Sequence, residues 1–129
     1  MKRIILGLSL VLMLVQNGFA YTDAEYDRAI ANTTNKALKQ VRICEKITLN
    51  HSYTGNVRVC VKAINMIKKD STQSKYLSES YLNAGVLYSH SEKNYIKAYE
   101  YYMKAAKLGN TTAQRNLDIL CSEHSWVCK

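Results

Sequence analysis

The chain has 129 residues, no proline, five glycines, four cysteines and ten tyrosines, and 18 Lys and Arg against 10 Asp and Glu give it a net charge of +8. That length suits a single domain, and the missing proline and scarce glycine are a poor supply of strand-turn punctuation and a good setting for helices. A basic chain inside a cell points to nucleic acid, but an exported chain meets little of it. Nucleic acid is therefore excluded as the partner, which leaves acidic proteins, anionic glycans or anionic lipid, beside the plain reading of solvated lysines.

Residues 1–20 read as a secretory signal peptide. Lys2 and Arg3 make a short positive start, Ile4 to Val15 is apolar apart from Gly7 and Ser9, and Gly18-Phe19-Ala20 places small residues before a cut at Tyr21. The apolar run is too short for a membrane span, so no stable membrane insertion is expected after cleavage. Removing the leader leaves sixteen basic residues against ten acidic ones, a charge of +6. The expected location is the periplasm or outside the cell. The mature chain, 21–129, is expected to be one helical domain. It comprises an N-terminal helical hairpin over 23–69, a repeat region over 74–121 and a disulfide-tied tail over 122–129.

The first helix is predicted from Ile30, where Ile30, Thr34, Ala37, Val41 and Cys44 recur at steps of three and four. Its opposite face carries Lys39, Arg42 and Lys46. Asn50 to Gly55 reads as a turn. The second helix shows Val57, Cys60, Val61, Ile64 and Ile67 on one face and ends at Lys68 and Lys69, cations suited to a helix C-terminus. Four cysteines in an exported chain read as a disulfide framework, with three pairings open in principle. Cys44 and Cys60 lie on facing stripes, about equally far from the turn, so an antiparallel hairpin brings them together. Cys121 and Cys128 then pair by elimination and pin the chain end, with Trp126, onto the last helix.

A third helix is predicted from Ser74 to Ser89, with Leu77, Tyr81, Ala84 and Tyr88 as its stripe, and a polar turn from His90 to Lys93. Asn94 is placed to cap the fourth helix and Gly109 to end it. Asn110 or Thr111 caps a fifth helix running to Cys121, Thr111 and Gln114 having capping-box spacing. The segment Ser80–Tyr88 can be laid on Ala113–Cys121 at an offset of 33 residues, a period typical of stacked two-helix units.

The residues Leu82-x-x-Gly85-x-x-Tyr88, Tyr95-x-x-Ala98 and Tyr101-Tyr102-x-Lys104-Ala105-Ala106-x-x-Gly109-Asn110, followed by Ala113-Gln114-x-Asn116-Leu117, resemble the Sel1-like repeat family, relatives of the tetratricopeptide repeats. The resemblance covers 76–120. It implies an all-α stack of about five antiparallel helices and adaptor or scaffold work on a protein partner. Ala84, Gly85, Tyr88, Ala98, Tyr102, Ala105, Ala106, Gly109, Ala113 and Leu117 are the repeat core it implies. The turn at Ser89–Lys93 departs from the family's usual longer, glycine-rich turn, and Asp118 stands where Gly85 stands one unit earlier. Some secreted members carry a disulfide across each helical hairpin, and the spacing of Cys44 and Cys60 looks like a variant of that habit.

No catalytic motif begins at His51, His90 or His124, and no phosphate-binding glycine loop is present. Cys121, His124 and Cys128 have metal-ligand spacing but lack a fourth ligand, and a disulfide consumes both sulfurs. No metal, cofactor or catalytic residue is expected. Seven of the ten tyrosines fall between Tyr76 and Tyr102, and tyrosine is enriched at binding surfaces. Tyr95, Tyr99 and Tyr101, together with Lys39, Arg42 and Lys46, are the candidate partner-facing residues. The expected function is non-catalytic binding of a protein partner, an immunity protein against a delivered toxin or an envelope adaptor being concrete versions. The alternatives are a cysteine-rich enzyme of the β-lactam-binding or hydrolysing kind, which relatives suggest, and a factor directed at a host or a glycan.

Overall fold

The structure, a computed structural model, describes residues 22–49 and 55–129, and the chain there is helical with no strand. The segment expected to be a signal peptide and His51, with most of the first expected turn, lie outside the described residues. No described helix is long and apolar enough to cross a membrane. The described chain falls into two units, which meet in sequence between Thr34 and Asn35.

The first unit holds α1, Asp23–Ala31. Its start is a reciprocal capping box. Thr22 Oγ1 accepts from the Glu25 N–H at 3.3 Å, and the Glu25 carboxylate accepts from the Thr22 N–H at 2.8 Å. These bonds hold the Glu25 carboxyl below its ordinary range.

The expectation of one helix running on from Ile30 is corrected here. The chain breaks at Asn32-Thr33-Thr34-Asn35, and α2 spans Lys36–Leu49. These four residues are weak helix formers because their side chains compete for local backbone groups. Thr33 Oγ1 donates to the Ala29 carbonyl at 2.7 Å, while Asn35 Oδ1 accepts from the Leu38 N–H at 2.9 Å, ending one helix and capping the next. Six α-helices are therefore described where about five were expected.

The second unit is a run of antiparallel neighbours: α2, α3 (Arg58–Lys69), α4 (Leu77–His90), α5 (Tyr95–Lys107) and α6 (Thr111–Glu123). Each helix packs on the next, and α2 also touches α4. In α2 the buried stripe is Ala37, Val41, Cys44 and Thr48; in α3 it is Cys60, Ala63, Ile64 and Ile67. Cys44 and Cys60 are bonded, with Cα atoms 4.8 Å apart and no exposure on either residue. Gln40 Nε2 donates to the Val59 carbonyl at 3.1 Å, and Asn35 Nδ2 to the Asp70 carboxylate at 3.0 Å, so polar ties reinforce the same hairpin.

The third expected helix starts later than its sequence pattern suggests. Asp70 accepts from the Thr72 N–H at 3.1 Å and opens a 3-10 turn, Ser71–Tyr76, before α4 begins. Hydrogen bonds from Thr72 and Asn35 hold the Asp70 carboxyl low. At the far end, His90 is the last residue of α4 rather than the first of a turn. The predicted caps of α5 and α6 are present. Asn94 accepts from the Lys97 N–H at 3.1 Å, and Asn110 accepts from the Ala113 N–H at 2.9 Å. Asn110 fills the cap position, and the Gln114 side chain bonds Asp118 at 3.2 Å, so Thr111 and Gln114 form no capping box. Gly109 takes φ +89°, a left-handed backbone that terminates α5.

The 33-residue offset corresponds to one register of burial. Ser80, Ala84 and Leu87 of α4 are buried, as are Ala113, Leu117 and Leu120 of α6. Gly85 explains its own identity: a Cβ there would lie 2.6 Å from the Tyr102 ring, so only a bare backbone lets α4 and α5 meet this closely. Asp118, its counterpart on α6, is exposed because no described helix packs on that side of α6 as α5 packs on α4. Of the expected repeat core, Ala84, Gly85, Ala98, Tyr102, Ala105, Ala113 and Leu117 are buried. Tyr88 and Ala106 are only half-buried, each at the flank of its stripe, and Gly109 is exposed in its turn.

Candidate functional site

Chain direction decides what gathers at each end of the stack. Because neighbouring helices alternate in direction, the C-terminus of α4, the N-terminus of α5 and the C-terminus of α6 share one end. The tail adds a 3-10 turn, Ser125–Cys128, at the same end. Cys121 and Cys128 are bonded, with Cα atoms 5.7 Å apart, as elimination required. The turn is reinforced by the Val127 N–H donating to the His124 carbonyl at 3.0 Å. His124 lies stacked on Tyr95, ring centroids 3.7 Å apart and planes 18° from parallel, which holds the tail to the start of α5.

Three of the four large apolar residues that remain exposed lie at this end: Ile96 (54%), Ile119 (49%) and Trp126 (59%). The fourth, Leu108, precedes the Gly109 turn at the opposite end. Beside Ile119 is a groove of about 250 Å³ lined by Ser89, His90, Tyr102, Asn116, Ile119, Leu120 and Glu123. It has an apolar floor and a polar rim, with an imidazole from α4 and a carboxylate from α6. Isolated exposed apolar residues are ordinary on any protein, but three of the four fall at one end, and one of them, Ile119, lines the groove.

The structure separates the tyrosines that the sequence grouped. Tyr95 is half-buried under His124, and Tyr99 is half-buried one turn along the same flank of α5. Tyr101 lies on the other flank, 6.0 Å from Tyr81 and 5.2 Å from Tyr88 between ring centroids. Burial pushes the Tyr101 hydroxyl above its usual pKa, and the neighbouring Tyr88 adds to this.

The expected basic face of α2 is also corrected. Lys39 is exposed and Lys46 half-buried, but Arg42 is only 8% exposed. Because α2 is touched by both α3 and α4, it buries a wider arc than one stripe. Burial pushes the carboxyl of Glu45 up to about 7, against the pull of Arg42 and with the Glu79 charge adding to the rise. Burial likewise raises Glu79, opposed by a hydrogen bond from Asn110, whose Nδ2 lies 3.3 Å from Oε1. No group of three or more potential metal ligands occurs among the described residues, and all four cysteines are in disulfides.

Sequence reasoning missed Ile96, Ile119 and the groove. One available signal was that both isoleucines fall off the buried stripes, Ile96 opposite Ala98, Tyr102 and Ala105, and Ile119 between Leu117 and Leu120. No family model, no curated protein and no solved structure matches this chain.

Proposed function

We propose that the chain is an exported, non-catalytic binding module that docks a protein partner through the end of the stack carrying Trp126, Ile96 and Ile119. The observation that carries this reading is that three of the exposed large apolar side chains fall at one end of the stack, Ile119 in the groove, Trp126 on the disulfide-tied turn and Ile96 at the start of α5. A surface fixed in advance loses little conformational freedom on binding, and an exposed tryptophan beside a groove is a typical energetic anchor. Two disulfides fit an oxidising compartment, hence the periplasm or the exterior. Kinship with the Sel1-like repeats, and with it adaptor work, is part of this reading and rests on the motif residues within 76–120.

An immunity protein that caps a delivered toxin is the most concrete version, supported by small size, disulfide stapling and the compact docking end. The test is co-expression with the products of the flanking genes. A stable complex is expected, and Trp126→Ala with Ile119→Asp should abolish it while leaving the thermal midpoint in place. A complex that survives both substitutions overturns the docking end. A toxic neighbour whose effect is not relieved by this chain overturns the immunity version.

A further inference from the structure

On a different face, two cations converge on one aromatic ring. Lys68, at the end of α3, places Nζ 5.8 Å from the centroid of Tyr81. Lys104, from α5, places its own Nζ 5.8 Å from the same ring and 4.9 Å from Tyr101. Tyr88 completes the cluster against Tyr101. All ten acidic side chains of the chain belong to described residues, yet neither Lys68 nor Lys104 has a carboxylate partner among them. Glu100, next to Tyr101 in sequence, is paired with Lys97 at 3.2 Å.

The ring quadrupole attracts each ammonium group. The result is a pair of oriented positive charges, each keeping N–H donors for an incoming acceptor, rimmed by the half-buried rings of Tyr88 and Tyr101. A lysine whose ammonium group is drawn to a tyrosine ring has less side-chain freedom to lose when it binds an anion.

We propose that Lys68 and Lys104, converging on Tyr81 beside Tyr88 and Tyr101, form a second binding surface for a carboxylate-rich polypeptide segment. A sugar ring would need the open faces of the tyrosines, and the two ammonium groups stand over those of Tyr81 and Tyr101. A carboxylate needs only the ammonium donors. This surface is independent of the docking end and is tested without its partner.

The probe is a fluorescently labelled oligoglutamate peptide, titrated by anisotropy against the full chain at low and at physiological ionic strength. Two exposed ion contacts together are worth roughly tenfold in affinity. Lys68→Met with Lys104→Met should therefore weaken binding about tenfold, whereas Lys36→Met with Lys62→Met, the same charge change elsewhere, should leave it within about twofold. The corresponding double arginine variant should bind like the parent chain. If the double methionine variant does not fold, the single variants K68M and K104M carry the comparison. Equal weakening by both methionine pairs, or no binding at low ionic strength, overturns the proposal. So does a sulfated oligosaccharide that binds more tightly than the peptide with the same dependence on Lys68 and Lys104.

Discussion

In the α2–α3 hairpin the helices are joined by sulfur, Cys44 to Cys60, fully buried and with Cα atoms 4.8 Å apart. In the α4–α5 hairpin they are joined at a missing side chain, the bare Cα of Gly85 against the ring of Tyr102. The first device acts on the unfolded chain, which it keeps from exploring open states. The second acts on the folded chain, where close approach gathers dispersion contacts along two helices. A small domain has a modest core, and here covalent and packing solutions to that shortage stand side by side.

Removing the sulfur link should have the larger effect. Cys44→Ala with Cys60→Ala opens a separation of 16 residues in a fully buried setting and should cost about 3–5 kcal/mol, read from urea unfolding. A loss below about 1 kcal/mol would mean that the polar ties from Gln40 and Asn35 already hold that hairpin. Gly85→Ala should cost less, about 1–2 kcal/mol, because alanine's better helix propensity offsets part of the clash with Tyr102. A double-mutant cycle with Tyr102→Leu should recover most of that loss, since the smaller side chain vacates the space that the new Cβ needs.

The same contrast explains what could be read from the sequence. Cys44 and Cys60 were legible because a covalent pair needs only two residue types and a turn midway between them. The caps at Asn94 and Asn110 and the left-handed Gly109 were legible because each is fixed by one residue's local chemistry. The fate of Arg42 was not, because its burial depends on α4 crossing back to α2, a long-range event without a local signature. The break at Asn32–Asn35 was misread because the spacing from Ile30 to Cys44 is helical while the four residues within it are not helix formers. At the docking end, the Cys121–Cys128 bond was inferred, but the company that Trp126 keeps was set by helix direction.

Arg42 also frames the pH response, which sets the α2–α4 seam apart from both hairpins. Glu45 has its carboxyl raised to about 7, above the ordinary 4.5, so the folded chain holds a proton that the unfolded chain releases between those values. Its contribution is fully present below pH 4.5 and is lost as pH rises through about 7, a fall in stability of about 3 kcal/mol. Glu45→Gln should flatten the profile between pH 5 and 8 and raise the thermal midpoint at the alkaline end. An unchanged slope in that variant would place the titration elsewhere. Asp70 and Glu25, whose carboxyls are held low, act in the opposite sense at more acid pH, outside that window.

The smallest effect returns to the α4–α5 hairpin. Lys93, in the turn joining its helices, adopts φ +52°, a conformation that disfavours any side chain with a Cβ. The turn tolerates it because the Asn94 N–H donates to the Tyr88 carbonyl at 2.8 Å and closes the loop around it. Lys93→Gly should therefore stabilise the chain by about 0.5–1 kcal/mol, the gain in the turn being reduced by glycine's greater freedom when unfolded. Lys93→Ala should give no such gain, since alanine keeps the Cβ. If glycine and alanine behave alike, the lysine's charge and not its backbone governs the position. The α4–α5 hairpin would then owe its geometry to Gly85 and Tyr102 alone, with the turn merely following.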